Sequence, residues 1–266
     1  MSALIIETAP QCEPVSLADM KNYLRWTQST EDTLIATLIT AARECVESFT
    51  RRSFINKGHC MSLDSFPYYT DTVQSQQAYP PASYSLPRYS TTLWNYSQMI
   101  KLFASPLAKA APTIQYVPST GGARVTLTGT LDMADTTKDF LADNNSEPAR
   151  LFPKAGQYWP ACLYVPNAVQ VHYVSGYNDD AAIAAAVTTW ANAQSPAANQ
   201  AAKDAYESTL RQADAPATAK VAIMKCVAEW WENREILSSL NLKEIPKHLE
   251  FMLWNLRVLD VAPTRG

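Results

Sequence analysis

The hydrophobic positions of this chain keep a helical rhythm at both ends and lose it in the middle. Leu17, Met20 and Leu24 form a short apolar stripe that predicts a helix from Leu17 to about Trp26, with Ser16 placed to cap it and Asp19 three residues on. A second helix is predicted after Ser29, with Glu31 and Asp32 in its first turn, where the helix dipole favours acids. Its apolar positions, Leu34, Ile35, Leu38, Ile39, Ala42, Cys45, Val46 and Phe49, recur at helical spacing, and Arg51 and Arg52 follow at the favourable C-terminal end. Near the other end, Pro216 suits the first turn of a helix reaching about Leu237, with Ile223, Val227 and Trp230 on one face. A last helix is predicted from near Pro246, where Ile245, Leu249, Leu253, Leu256 and Leu259 repeat.

Between these helices the pattern shortens. Phe54 to Leu63 predicts a strand, as do Thr113–Val117, Arg124–Thr128 and Val169–Val174, the last alternating Val169, Val171 and Tyr173 with Gln170 and His172. Gly121-Gly122 predicts a hairpin turn, and the polar stretch Asp132 to Pro148 predicts a loop. Ala181 to Ala219 is alanine-rich and broken at Pro196, which predicts a helical hairpin of Ala181–Ala193 and Ala197–Gln212. Together these features predict an α+β, mainly α chain. Its frame is a helical bundle of about four principal helices, with an inserted small antiparallel β region and an Ala-rich helical hairpin. The expected parts are 1–53 as the N-terminal half of the bundle, 54–178 as the β-rich insertion, and 179–266 as the C-terminal half with hairpin and tail.

Composition narrows what such a chain does. Of its 266 residues, 47% are hydrophobic and 18% charged, enough to bury a sizeable core and too apolar for global disorder. Only 7 glycines leave little room for phosphate-cradling loops, and no P-loop, GxGxxG or GxSxG is present. The net charge of −3 provides no basic field for gripping nucleic acid. The five cysteines, Cys12, Cys45, Cys60, Cys162 and Cys226, are widely spaced and form no CxxC, so they read as reduced thiols. The apolar patch Leu4-Ile5-Ile6 is too short for a signal peptide, and no stretch is apolar enough to predict a bilayer span.

No residue set predicts catalysis. His59, His172 and His248 lack partners at ligand spacing, so neither a metal site nor a cofactor is expected. His59-Cys60 has no context for an activated thiolate, and Asp143-Asn144-Asn145-Ser146-Glu147 lacks the glycine and distant glutamate of a calcium loop. Asp179 and Asp180 read as a helix start rather than as paired catalytic carboxylates. The tract Ser65 to Ile100 is different. It carries only Asp71 and Arg88 as charges and holds Tyr68, Tyr79, Tyr84, Tyr89, Trp94 and Tyr96 among prolines. Such an aromatic excursion predicts a contact surface for a neighbouring subunit or tail protein; a loop packed on its own domain, or a carbohydrate- or receptor-binding module, would use the same residues.

Several ordered blocks resemble a known family. Glu31-Asp32-Thr33-Leu34-Ile35 followed by Ala41-Ala42-Arg43-Glu44-Cys45-Val46-Glu47-Ser48-Phe49-Thr50-Arg51-Arg52 is similar to the opening of head–tail connector proteins of tailed bacteriophages, with Leu17–Trp26 as the preceding short helix. Ser105-Pro106-Leu107 with Thr113–Tyr116 resembles the family's Pro-Leu turn and strand, and Phe152-Pro153 with Trp159-Pro160 its turn before the last strand. Asn167-Ala168-Val169, Val171, Tyr173 and Gly176-Tyr177 resemble that strand. Ala228, Trp230 and Glu232-Asn233-Arg234-Glu235 resemble a later helix.

The resemblance implies a non-enzymatic adaptor of the virion neck, made in the host cytoplasm and forming a ring, commonly of twelve copies, below the portal. Such a ring extends the DNA channel during packaging and ejection and joins capsid to tail, with the portal and head-closure or tail proteins as partners and no membrane. Double-stranded DNA would pass through its lumen without sequence-specific contact. In such a ring Phe49, Trp230, Trp231 and Trp254 are expected to serve helix packing and subunit interfaces. The polar end, with Arg257, Val261, Pro263 and Arg265, is expected to dock on the portal.

Overall fold

A computed structural model of the chain describes residues 3–10, 12–67, 98–154, 157–177, 200–201, 203, 215–232 and 247–258. Four helices are found there: α1 (Leu17–Leu24), α2 (Asp32–Thr50), α3 (Ala217–Glu232) and α4 (Lys247–Trp254). Eight strands accompany them: β1 (Ala3–Thr8), β2 (Lys57–Leu63), β3 (Ile100–Lys101), β4 (Thr113–Tyr116), β5 (Val125–Thr130), β6 (Phe140–Asp143), β7 (Arg150–Pro153) and β8 (Val169–Ser175). They form one sheet in the order β1-β2-β8-β4-β5-β6-β7-β3.

This sheet overturns the expectation of a mainly α helical bundle with a small antiparallel insertion. All eight strands join a single mixed sheet in which β5 and β6 run parallel, Gly129 opposite Phe140 and Thr130 opposite Leu141. The difference has a physical source. A 19-residue helix such as α2 carries several turns of periodic signal, whereas strands of 2 to 7 residues offer one or two alternations each. The polar segment from Asp132 to Pro148, expected to be a loop, contains β6, whose Phe140 and Ala142 are buried in alternation. The patch Leu4-Ile5-Ile6 lies in β1. The expected hairpin 181–212 falls almost wholly outside the described residues.

Contacts divide the chain into two compact units, one of residues 1–5, 59–102 and 111–173, the other of residues 6–58, 103–110 and 174–266. In the second, the four helices share a core. Met20 of α1, Ile35, Leu38, Ile39, Ala42 and Val46 of α2, Ala219, Ala222, Ile223, Cys226 and Val227 of α3, and Leu249 and Leu253 of α4 all lie in it. Ser16 caps α1 as the sequence suggests, its Oγ accepting from the Asp19 amide at 3.0 Å, while α1 ends at Leu24 rather than near Trp26, and Arg25 and Arg51 close α1 and α2 in the left-handed region with φ 55° and 57°.

The polar side of α2 is held by ions. Arg43 and Glu47, one turn apart, are both buried and bridge at 2.7 Å. Arg43 Nε also donates to Glu13 at 2.7 Å, and the buried Lys57 at the start of β2 donates to Glu47. Glu47 Oε1 accepts the Phe54 amide at 2.9 Å. Burial alone would lower the Arg43 pKa, but Glu47 and Glu13 outweigh it and hold the guanidinium above its ordinary value.

In the first unit, β4 and β5 form the predicted hairpin, in register from Thr113–Thr128 to Tyr116–Val125, and β8 pairs with the other edge of β4. Gly121 and Gly122 carry φ of 75° and 107° at its turn. Phe140 of β6 packs at a tilt on Trp159, with ring centres 5.9 Å apart. The polar run 143–147 closes a turn: Asp143 accepts from the Asn145 amide at 3.0 Å and pairs with Arg150 at 2.6 Å.

These ion pairs set two expectations for stability. Glu47→Ala leaves two buried cations short of a carboxylate and should cost about 3–5 kcal/mol of stability in urea denaturation. Burial pushes the Asp143 pKa up, yet Arg150, Ser146 and the Asn145 amide outweigh it and leave it below the ordinary value. Its contribution is therefore present above the unfolded carboxylate pKa and is lost as pH falls through the folded one. Asp143→Asn should cost about 1 kcal/mol at neutral pH, and the difference in melting temperature should close on acidification.

Candidate functional site

The aromatic side chains expected to serve packing and interfaces take distinct places. Trp230 is 5% exposed and belongs to the helical core. Trp231, the next residue on α3, turns to the rim and meets Trp26 edge-on, 5.3 Å between ring centres. Phe49 is half-buried at the end of α2, and Trp254 on α4 is 54% exposed. Arg257 links these two, its guanidinium 5.2 Å from the Phe49 ring centre and 5.3 Å from that of Trp254. Phe251, one turn before Trp254, is 87% exposed.

The chain after α4 is fastened to the end of α2. Arg52 Nε donates to the Leu256 carbonyl at 2.5 Å, Arg52 also donates to the Tyr177 hydroxyl at 2.8 Å, and the Val258 amide donates to the Thr50 carbonyl at 2.9 Å. Arg257 is thus a positioned residue between two aromatic rings. Val261, Pro263 and Arg265 lie outside the described residues, as do Tyr68, Tyr79, Tyr84, Tyr89, Trp94 and Tyr96.

The two described stems of that Tyr-rich tract meet one residue. Phe66 stacks on Trp159 with centres 5.1 Å apart and planes 7° from parallel. Trp159 Nε1 donates to the Gln98 carbonyl at 2.6 Å. In the sequence Trp159 stands out only as part of a Trp-Pro turn. Its role as anchor for both stems depends on contacts 61 and 93 residues away in sequence (159 − 98 and 159 − 66), which no local pattern carries.

Cys226 and His59 occupy packing positions. Desolvation, with Cys45 and Glu229 adding to it, pushes the buried Cys226 thiol up to about 12. His59 is buried and stacks on Tyr173, 5.3 Å between ring centres. Among the described residues no helix is long and apolar enough to cross a membrane.

No protein family matches the sequence, and no curated protein matches it. Solved structures do resemble the fold. A chain of the virion of a native gene transfer agent particle superposes with a TM-score of 0.57 at 14% identity, over 99% of each chain. Chains from the neck of the empty particle, computed with C6 symmetry, and from the neck of the native particle, computed with C12 symmetry, each superpose with a TM-score of 0.56 at 14% identity. These two alignments cover 99% of this chain and 100% of the other. The chain therefore shares its fold with chains of such particles.

Removing the ring that joins the two stems should be costly. Trp159→Phe keeps the stack and leaves the Gln98 carbonyl without its donor, for a loss of about 1–2 kcal/mol. Trp159→Ala should cost about 3–5 kcal/mol. Urea denaturation of both variants checks the order.

Proposed function

We propose that this chain is a structural, non-catalytic protein of the neck of a phage-like particle, an adaptor whose copies form a ring beneath the portal. The observation that carries the reading is the end-to-end likeness of fold to chains of gene transfer agent necks, 99% of this chain being covered. The order of the sequence blocks supports it independently, because the amino acids alone make those blocks resemble phage head–tail connectors. In this reading the ring continues the DNA channel and joins capsid to tail. A chain charge of −3 per copy, multiplied around a ring, suits a lumen along which DNA slides without sticking.

Three surfaces have work in such a ring. Phe251 and Trp254 offer apolar area at an exposed helix face, 87% and 54% open, for a neighbouring protein. The stretch 257–266, which begins at the positioned Arg257, docks on the portal. The aromatic tract from Tyr68 to Tyr96, whose stems meet at Trp159, contacts a neighbouring subunit or a tail protein.

Quantitative mass spectrometry of purified particles tests the proposal: the chain should be present in the same copy number as the portal, and electron microscopy should place it in the neck. Absence from the particle overturns it. Deleting residues 261–266 should abolish capture by the portal in a pull-down while leaving the melting temperature of the free chain unchanged.

A further inference from the structure

At the corner where α2 and α4 end, one guanidinium is held in place with no oxygen to hold. The backbone on both sides of Arg257 is tied to this corner: the Leu256 carbonyl accepts from Arg52 Nε, and the Val258 amide donates to the Thr50 carbonyl at 2.9 Å. The side chain is fixed as well, by the Phe49 ring of α2 and the Trp254 ring of α4. Contact with ring faces leaves the in-plane N–H donors of a guanidinium unspent, and among the described residues no carbonyl, hydroxyl or carboxylate accepts from the Arg257 side chain. Arg52 is the contrast, its guanidinium committed to the Leu256 carbonyl and the Tyr177 hydroxyl. A surface arginine ordinarily samples many rotamers, and ordering it costs entropy at the moment of binding. At Arg257 that ordering is already done.

On the reading that residues 257–266 dock on the portal, we propose that Arg257 is a preformed carboxylate receptor. An Asp or Glu side chain of the portal pairs with its guanidinium, and apolar side chains beside that carboxylate cover Phe251 and Trp254. Local charge selects an anion, because residues 48–54 and 251–258 carry Arg51, Arg52 and Arg257 and no Asp or Glu. The planar fork of a guanidinium matches the two oxygens of a carboxylate, and an ordered arginine beside exposed aromatic area is what protein interfaces use as an anchor. A nucleic-acid backbone fits less well. It presents a row of phosphates that takes several cations in line, whereas Glu250 stands exposed on the same helix, one turn before Trp254. The open Phe251 ring also finds no cover on a sugar–phosphate chain.

Two substitutions separate the fork from its charge. The full chain is immobilised as wild type, Arg257→Gln, Arg257→Lys and Arg51→Gln, and capture of the purified portal is titrated on each. Arg257→Gln removes fork and charge and should weaken capture by about tenfold or more. Arg257→Lys keeps the charge without the fork and should weaken it by about as much. Arg51→Gln removes a neighbouring exposed charge and should change capture by less than about twofold. Full capture by Arg257→Gln overturns the inference. So does full capture by Arg257→Lys, which identifies charge alone, and so does an equal loss in Arg51→Gln, which identifies diffuse attraction.

If a substitution at Arg257 lowers the melting temperature of the free chain, electron microscopy of the wild-type neck decides. A portal Asp or Glu carboxylate should lie at hydrogen-bond distance from the Arg257 guanidinium. A DNA phosphate, a carboxylate of this chain or of a second copy, or solvent in that place overturns the inference. Failure of the wild-type chain to capture the portal overturns the docking reading, and this inference with it. Capture by wild type and by both Arg257 variants alike removes this inference alone.

Discussion

The buried ion cluster on α2 is the constraint around which the helical unit is organised. Glu47 sits 7% exposed between Arg43 at 4% and Lys57. Desolvating these groups would cost several kcal/mol each if any were unmatched, so their positions are fixed by the requirement that all be matched together. The cluster ties four separate stretches: the segment before α1 through Glu13, the middle of α2 through Arg43 and Glu47, the turn after α2 through the Phe54 amide, and the start of β2 through Lys57. The apolar stripe of α2 sets the face turned to the core, and the paired guanidinium and carboxylate tie that helix to the segments before and after it.

The cluster also separates what is legible in the sequence from what is not. Arg43 and Glu47 stand at helical i, i+4 spacing, and their place in the phage-like block is plain from the amino acids alone. That both are buried is not, because amphipathic periodicity puts charges outside by default. Their partners, Glu13 and Lys57, lie in segments with no helical pattern of their own, 30 and 10 residues away along the chain. Local propensity carries no information about contacts of that kind. The same limit explains the sheet. β4, β5 and β8 are legible nearly to the residue because each alternates over several positions, whereas β1, β3, β6 and β7 become strands through the neighbours they pair with.

Tryptophan illustrates the difference between finding a residue and assigning its task. Trp230, Trp231 and Trp254 all stand out in the helical pattern as packing or interface positions. The structure buries Trp230 in the core, turns Trp231 to the rim against Trp26, and leaves Trp254 half open with Arg257 on its ring. Adjacent helix positions differ by about 100° around the axis, so Trp230 is enclosed by the core while Trp231 packs against its margin. Trp159 is the converse case: an inconspicuous turn residue whose ring and Nε1 gather Phe66 and Gln98.

These placements give the low charge content a physical meaning. A chain with 18% charged residues has limited means of keeping an exposed apolar strand or helix face in water. Some of its charge lies inside, where Arg43, Glu47 and Lys57 solvate one another rather than the surface. What is left outside is uneven, with Leu4 to Ile6 and the Phe251–Trp254 face presenting aliphatic and aromatic area to solvent. Such a division is costly for a solitary protein and natural for a component of an assembly, where neighbouring copies or partners complete the cover. The interior ion cluster would fix each copy before assembly, so that joining copies need not reorganise the helices of either.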